Sequence, residues 1–511
     1  MLQATISLPR PTRKLLSHVP ETDLSRLLAE VFALAASEPK LLEMIDRDRD
    51  AYALRKKKER IEDRVWLESQ GRPLPGFDIS ADADWADELD LDVGRPRMPA
   101  ILVLIFIAIR GYLGGFKDRK TLTMLLESKT LEIVLVNLNH PLPGASTILD
   151  NVNVVSATTQ SAILDAQIGK AMREGLDDFT KVTADSTGVE ANSIWPTDSG
   201  TIAGLAARSE HLLRELATFG ITLRLPAIVR KLVADVSILH KQIQLTSGKK
   251  DSAIKRKRLY RKQFKHARKV RQALLQAYER SGLKSRNVDV MPSHRARLMT
   301  RLDWIEVDLR NLELAIDNAS QRILRDKKVL IEDKILSLSD ESAAMIVKGG
   351  REPILGYKPQ IARSGNGFVV ALIVPEGNAA DSGQLRPIAD QAIQRTGVLP
   401  SVLSFDDGYT NADDRAHYIG LKINVVSFSG AKGKRLIPDD EYESEPYRQA
   451  RNGRSAVESL IFTLKHNTDF DRVMRRGIDA VRAELGEKAI AYNFFRMIRL
   501  RETRNRKKLA A

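Results

Sequence analysis

Apolar positions along the chain change texture three times. Up to about position 70 they recur at helical spacing, and Arg55-Lys-Lys-Lys-Glu-Arg60 reads as a solvated helix face. GRPLPG (71–76) breaks that pattern, and the acidic run from Asp82 to Asp92 reads as an exposed linker. A second helical block runs from Pro99 to about Asp178. Its apolar stretch, Met98 to Ile109, extends only about a dozen residues, well short of the roughly 20 that span a bilayer, so it predicts a buried helix. Within the block, HPLPGASTILDNV carries the Pro-Gly and Ser-Thr signals of a helix start. A helix-turn-helix fits here, although no recognition helix stands out.

From Phe179 the pattern turns to β. FTKVTADST predicts a short strand ending in an acid, and GYKPQIARS (356–364) and FVVALIVPEGN (368–378) predict a hairpin about Ser-Gly-Asn-Gly (364–367). A helix, DSGQLRPIADQAIQRTG, leads to SVLSFDDGY (401–409), a strand ending in acids. KINVVSF (422–428) is a further strand, and helices follow. Strand, long interruption, hairpin, helix, strand, strand and helices describe a mixed α/β sheet with acids at its strand ends. The interruption, roughly 200–333, is helical. Between Lys249 and Arg271 it holds twelve Lys or Arg against one acid, Asp251. Its heptad spacing is patchy, which predicts a helical hairpin rather than a long coiled coil. Lys255, Arg256, Lys257, Arg258, Arg261 and Lys262 would lie along DNA phosphates; the plainer alternative is a solvated helix.

Composition narrows the partners. At 511 residues the chain is too long for one core, so two to four domains are expected. A net charge of +15 favours a polyanion, because Lys and Arg displace counterions condensed on phosphates; a basic but unrelated enzyme is the alternative. The absence of cysteine excludes disulfides, zinc fingers and thiol chemistry, and fits a reducing cytoplasm. The start, MLQATISLPRPTRKLL, has no apolar signal-peptide core, and no membrane association is expected.

Three acids are candidates for chemistry. Asp185 ends the first strand, Asp406 ends a later one, and Glu458 sits on a helix opening at about Gly453. On that helix Val457, Leu460, Ile461 and Leu464 share a core-facing stripe. Arg454, Glu458 and Lys465 fall within about 60° of one another on the adjoining face. Carboxylates gathered in this way suit Mg²⁺, a hard ion that prefers oxygen ligands. Two such ions about 4 Å apart can activate an attacking oxygen and stabilise a leaving one. Paired carboxylates also serve acid–base work on sugars, but no aromatic-lined groove accompanies these. Singly, Asp185 reads first as a cap or turn residue, Asp406-Asp407-Gly as an ordinary turn, and Glu458 as a surface helix residue. Their joint placement on strand, strand and helix is the informative feature.

Taken together, the motifs resemble the DDE transposases of bacterial insertion sequences, whose catalytic core is ribonuclease H-like. Arg95-Pro-Arg-Met-Pro with its apolar helix, Gly-Tyr-Leu-Gly-Gly-Phe-Lys-Asp-Arg and Pro-Gly-Ala-Ser-Thr resemble the helical domain before the core. Thr183-Ala-Asp-Ser-Thr-Gly-Val-Glu-Ala-Asn with Trp195-Pro-Thr-Asp-Ser resembles the first-acid region. Lys334-Ile-Leu-Ser-Leu-Ser-Asp-Glu, Ile346-Val-Lys-Gly-Gly and Pro375-Glu-Gly-Asn-Ala-Ala-Asp are similar to segments around the second and third strands. Asp406-Asp-Gly-Tyr and Arg454-x3-Glu458-x6-Lys465 match the second- and third-acid motifs.

The resemblance implies an α/β ribonuclease H-like mixed sheet flanked by helices, with an N-terminal all-helical region and a large helical insertion in the core. The divisions expected are 1–94 (helical region and acidic linker), 95–178 (helical, DNA-binding), 179–199 with 334–511 (catalytic core) and 200–333 (basic insertion). It also implies two Mg²⁺ or Mn²⁺ ions held by Asp185, Asp406 and Glu458, with Asp406 preferred to its twin Asp407 because it keeps the Asp-x-Gly-Tyr spacing. Arg454 and Lys465 would meet phosphates. Arg451, expected with them at the DNA, stands where relatives carry Tyr, and the stretch before it is expected to hold only a strand and a charged loop (Lys432 to Glu445). The expected activity is cleavage at the element's terminal inverted repeats and joining of the freed 3′-hydroxyl to target DNA. The expected setting is a synaptic homodimer in the bacterial cytoplasm, associated with the nucleoid. A nuclease without strand transfer, or a DNA-binding relative without catalysis, are the alternatives.

Overall fold

The β-type runs around the acids form eight strands: β1 (Lys181–Ser186), β2 (Val189–Glu190), β3 (Ala344–Ile346), β4 (Ile354–Tyr357), β5 (Gln360–Ser364), β6 (Val369–Ile373), β7 (Val402–Phe405) and β8 (Val425–Phe428). The structure is a computed structural model that describes residues 22–72, 97–115, 119–246, 252–347 and 352–510. The acidic run at 82–92 and the Lys249 to Asp251 end of the basic stretch lie outside the described residues. Five strands make a mixed sheet in the order β6-β5-β1-β7-β8, and three make a smaller one in the order β2-β4-β3. β1 is antiparallel to β5 and parallel to β7, β5 and β6 form the expected antiparallel hairpin, and β7 and β8 run parallel. Parallel pairing needs a crossover, and the helix Leu385–Thr396 lies between β6 and β7 in the chain, as its apolar spacing indicated.

One run divides differently from its sequence pattern. The single β-segment expected over 356–364 is two strands in two sheets, because Pro359 offers no N–H to a continuing ladder. Its neighbour Lys358 turns inward to an ion pair with Asp381 at 2.9 Å. β4 crosses so close to β2 that a Cβ on Gly356 would stand 1.9 Å from the Val189 carbonyl oxygen.

The chain divides into two compact units, one of Met1–Tyr52, Asp92–Asn192 and Ser342–Ala511, the other of Ala53–Leu91 and Ser193–Glu341. In the first, the apolar stretch after Pro99 is the buried helix Ala100–Tyr112, which crosses the long helix Ile478–Ala510. The crossing is tight at Gly111, where an added Cβ would lie 2.0 Å from the Glu487 carbonyl oxygen. Gly111→Ala is therefore expected to lower stability by about 1–3 kcal/mol, the usual cost of overpacking, seen as a fall in the midpoint of thermal unfolding. The same long helix protects the sheet edge: the Asn493 amide receives the Val369 N–H and donates to the Val369 carbonyl.

Among the described residues of the Ser193–Glu341 part of the second unit there are four α-helices, Asp198–Glu215, Ile228–Leu245, Ser252–Arg280 and Pro292–Leu324, rather than a single hairpin. Leu205, Leu213, Phe264, Val270, Leu274, Leu302 and Ile305 belong to one buried cluster. Each helix packs against more than one neighbour, which broadens its apolar face and blurs the heptad spacing. Arg208 forms an ion pair with the fully buried Asp308 across this core. No described helix in either unit is long and apolar enough to cross a membrane.

Candidate functional site

The parallel β1–β7 ladder ends with Ala184 opposite Phe405. Continuing that register by one residue sets Asp185 beside Asp406, at the carboxyl ends of two central strands. Asp185 is buried, and its Oδ1 accepts the Ser186 N–H at 2.6 Å. Asp406 Oδ1 accepts from the Ser429 hydroxyl at 3.1 Å, just beyond β8.

The twin aspartates have different tasks. Asp407 Oδ1 accepts the backbone N–H groups of Lys432 (2.8 Å) and Gly433 (2.9 Å), so it caps the short helix Ala431–Leu436. Gly430 permits this approach: its φ is +105°, and a Cβ there would stand 2.7 Å from Asp407 Cγ. Tyr409, fully buried beneath the turn, donates its hydroxyl to Gln360 on β5. Burial, with Asp381 and Asp185 nearby, pushes that hydroxyl's pKa well above its ordinary value, so it remains a donor. The Asp-x-Gly-Tyr spacing thus describes a turn with one aspartate facing the cleft and a tyrosine anchoring it to the sheet.

The approach to the third acid is more helical than the sequence indicates. The stretch expected as a charged loop contains the helices Ala431–Leu436 and Asp439–Tyr442, followed by Glu445–Gly453. Arg454, with helical backbone angles, separates it from the helix Ser455–Thr468, which carries Glu458. Pro446 sits in the first turn of the middle helix, where its missing N–H costs no hydrogen bond. Val457, Leu460 and Leu464 are buried as their spacing requires, whereas Ile461, expected on the same stripe, is half-buried and lines the cleft.

Arg454 joins the three acids. Its Nη1 lies 3.2 Å from Asp185 Oδ2 and 3.8 Å from Asp406 Oδ1, and its Nη2 donates to Glu458 Oε1. Burial works against its charge, but Asp406, Asp185 and Glu458 together raise its pKa above the ordinary arginine value. Three carboxylates therefore face one point, with a guanidinium between them. Among the described residues, no three His, Asp or Glu side chains stand ready to share one ion as placed. The donor chemistry, three carboxylates within 4 Å of a single cationic group, fits a hard divalent ion.

Asp185, Asp406, Arg454, Glu458 and Lys465 all line one open cleft of about 540 Å³. Lys465 donates to the Gly188 carbonyl at 3.2 Å, which ties its helix to the end of β1. Arg451 is not among the cleft-lining residues; its guanidinium sits 4.4 Å over the Tyr442 ring. Lys255, Arg256, Lys257, Arg258, Arg261 and Lys262 all lie on the Ser252–Arg280 helix of the other unit, with Lys257 paired to Asp326 at 2.9 Å. Sequence reading passed over Ser429, Gln360 and Phe462, all of which contribute to the cleft or its support. Only the register of the folded sheet shows that Gln360 lies opposite Ser186 and under Tyr409.

No curated protein and no solved structure matches the chain. Residues 340–494 match a family model described as Transposase DDE domain. The match takes in Asp406 and Glu458 and begins after Asp185. Residues 340–494, with Asp406 and Glu458, are therefore similar to a transposase DDE domain, which supports an assignment to the DDE transposases.

Proposed function

We propose that this chain is a transposase that cleaves the ends of its element and joins the freed 3′-hydroxyl to target DNA. The observation that carries the reading is the meeting of Asp185, Asp406 and Glu458 about one point of an open cleft, from positions remote in the chain. The strand order, with antiparallel β5 and β6 on one side of β1 and parallel β7 and β8 on the other, supports a ribonuclease H-like core. Asp185, Asp406 and Glu458 would hold two Mg²⁺ or Mn²⁺ ions. Bound there, such ions lower the pKa of an attacking water and neutralise charge on the leaving oxygen.

The chain's own residues prepare the site. The Ser186 N–H and the Ser429 hydroxyl each hold one oxygen of the two aspartates, which keeps both carboxylates at the cleft. Arg454 offsets the repulsion among the acids and is placed to meet a phosphate that enters between them. Lys465 stands on the same face of its helix and extends the positive rim.

DNA contact by the basic unit follows the pattern of exposure on its helix. Lys255, Arg258, Lys262, Lys265 and Lys269 are exposed and, at 100° per residue, fall within about 80° of one another along about 21 Å. Arg268 and Arg271 instead pair with Asp317 and Glu313 on the neighbouring helix. Replacing Lys262 and Lys265 with Ala is expected to weaken DNA binding for every sequence tested. The slope of log affinity against log salt should become shallower by about 0.9 for each phosphate no longer neutralised, measured by fluorescence anisotropy across a salt series. An unchanged slope would remove this stripe from the interface.

The activity itself is tested with purified protein, Mg²⁺, a linear fragment bearing the element's terminal inverted repeats, and a supercoiled target. Joined products support transposition. Cleavage without joining would make the protein a nuclease, and neither product in the presence of tight DNA binding would leave it a DNA-binding relative. Synapsis of two ends calls for a homodimer on DNA, in the bacterial cytoplasm and at the nucleoid.

A further inference from the structure

Pro375-Glu-Gly-Asn-Ala-Ala-Asp ends on an acid, Asp381, that the cleft itself does not use. The Asp381 side chain lies against the Asp406–Tyr409 turn, so close that a Cβ on Gly408 would stand 3.2 Å from its Oδ2. Its Oδ1 accepts from Lys358 Nζ at 2.9 Å and from Gln360 Nε2 at 3.2 Å. Lys358 is buried and Gln360 fully so. An ion pair taken out of water adds little to stability by itself, because desolvation offsets the attraction. What this pair does provide is direction. Gln360 Nε2 donates to Asp381 and to the Lys358 carbonyl (3.3 Å), which leaves the amide oxygen facing Tyr409, whose hydroxyl donates to it. That hydroxyl has one proton, so it accepts from Ser186, with which it is also hydrogen-bonded. Ser186 in turn gives its backbone N–H to Asp185, and the Tyr409 N–H closes the turn on the Asp406 carbonyl at 3.0 Å. From Ser186 onward, every side-chain donor of the chain points toward Asp381.

We propose that Asp381, held by Lys358, is a positioning residue that sets Asp185 and Asp406 for a divalent ion through Gln360 and Tyr409. The inference rests on the metal-dependent site proposed above and adds a buried support to it. Without Asp381 the Gln360 amide is free to turn its NH2 toward Tyr409. The hydroxyl then has to accept from Gln360 and turn its proton to Ser186, and Gly408 loses the group it rests on. One aspartate is bound to Ser186 and the other opens the Tyr409 turn, so both lose the placement that a shared ion needs. Groups behind metal ligands act in this way, by orienting oxygens they do not themselves supply.

The test measures Mn²⁺ binding to the full chain without DNA, by electron paramagnetic resonance of the free ion, with Asp185→Asn identifying the ions held at this site. Tyr409→Phe and Asp381→Ala are each expected to weaken that binding by about tenfold, the lower end of the range for partners behind metal ligands. The double variant should also lose about tenfold rather than roughly a hundredfold, because both residues act through one chain. Alone, Asp381→Ala leaves the Lys358 ammonium uncompensated, so it is made also with Lys358→Met, which removes that charge. The pair of changes should regain the unfolding midpoint but not the Mn²⁺ affinity, a separation that a purely structural role would not give. Gly111→Ala, expected to be destabilised elsewhere in the same unit, should bind Mn²⁺ as the wild type does. Wild-type affinity in Tyr409→Phe, or in Lys358→Met with Asp381→Ala, would overturn the positioning role while leaving the metal site intact. So would losses that multiply in the double variant, which would make the two residues independent. Mn²⁺ binding that Asp185→Asn leaves untouched would overturn both.

Discussion

Asp406→Asn is expected to reduce DNA cleavage by roughly a thousandfold or more, the scale of several kcal/mol of lost charge stabilisation, while Asp407→Ala leaves the cleavage site working. The two residues are adjacent, but their oxygens face different structures. Asp406 lies beside Asp185 and 3.8 Å from Arg454, in the cleft. Asp407 is spent on the N–H groups of Lys432 and Gly433. Removing the cap should cost about 1–2 kcal/mol of stability, visible as a lower unfolding midpoint in Asp407→Ala and absent in Asp406→Asn. Cleavage by each variant is compared at a temperature where both are folded. Loss of activity in Asp407→Ala with retention in Asp406→Asn would exchange the two roles and refute the site assignment.

Glu487→Ala should be among the most destabilising single changes in the catalytic unit, at about 3–5 kcal/mol. Glu487 is fully buried and accepts from Arg110, from Arg475 at 2.7 Å and from Gln160 at 3.2 Å. Arg110 is itself 3% exposed, and without Glu487 its remaining side-chain partner is Asn153. Breaking one side of a desolvated pair leaves the other charge uncompensated, so the loss should exceed that of any surface pair. The double change Arg110→Met with Glu487→Leu should recover much of it, because Arg110 is then not left as a buried charge without Glu487. Chemical denaturation of the three proteins measures this; a loss below about 1 kcal/mol in Glu487→Ala would show that the pair is hydrated. The network also bears on the site. Arg475 and the adjacent Glu484–Lys488 pair hold the segment after the Glu458 helix, and there Val473 donates its N–H to Glu190 of β2. Loosening it should shift the glutamate helix against β1.

The candidate acids were legible in the sequence because each ends a short β-type run or shares a helical face with cations. Those signals are local, and three of the four stripe residues, Val457, Leu460 and Leu464, pack as the spacing predicts, with Ile461 at the cleft edge. The hairpin at 364–367 was equally plain, since its turn residues and alternation lie within a few positions. What escaped depends on distant partners. The break at Lys358-Pro359 makes sense only once Lys358 finds Asp381 and β4 finds β2 and β3. The short helices between β8 and Arg454 are polar and brief, and one is held by a cap from Asp407, more than twenty residues upstream. Spacing put Arg454 on the same face as Glu458, but periodicity cannot show that its guanidinium points inward to two aspartates from other strands. The basic interruption read as a hairpin because four mutually packed helices dilute the apolar repeat of each.

Crystals of the full chain soaked in Mn²⁺, with diffraction recorded for anomalous scattering, test the central claim most directly. Manganese peaks in contact with carboxylate oxygens of Asp185, Asp406 and Glu458 are the result expected. Manganese bound elsewhere, with those three side chains still closed on Arg454 at saturating metal, would contradict a metal-dependent site built from these acids.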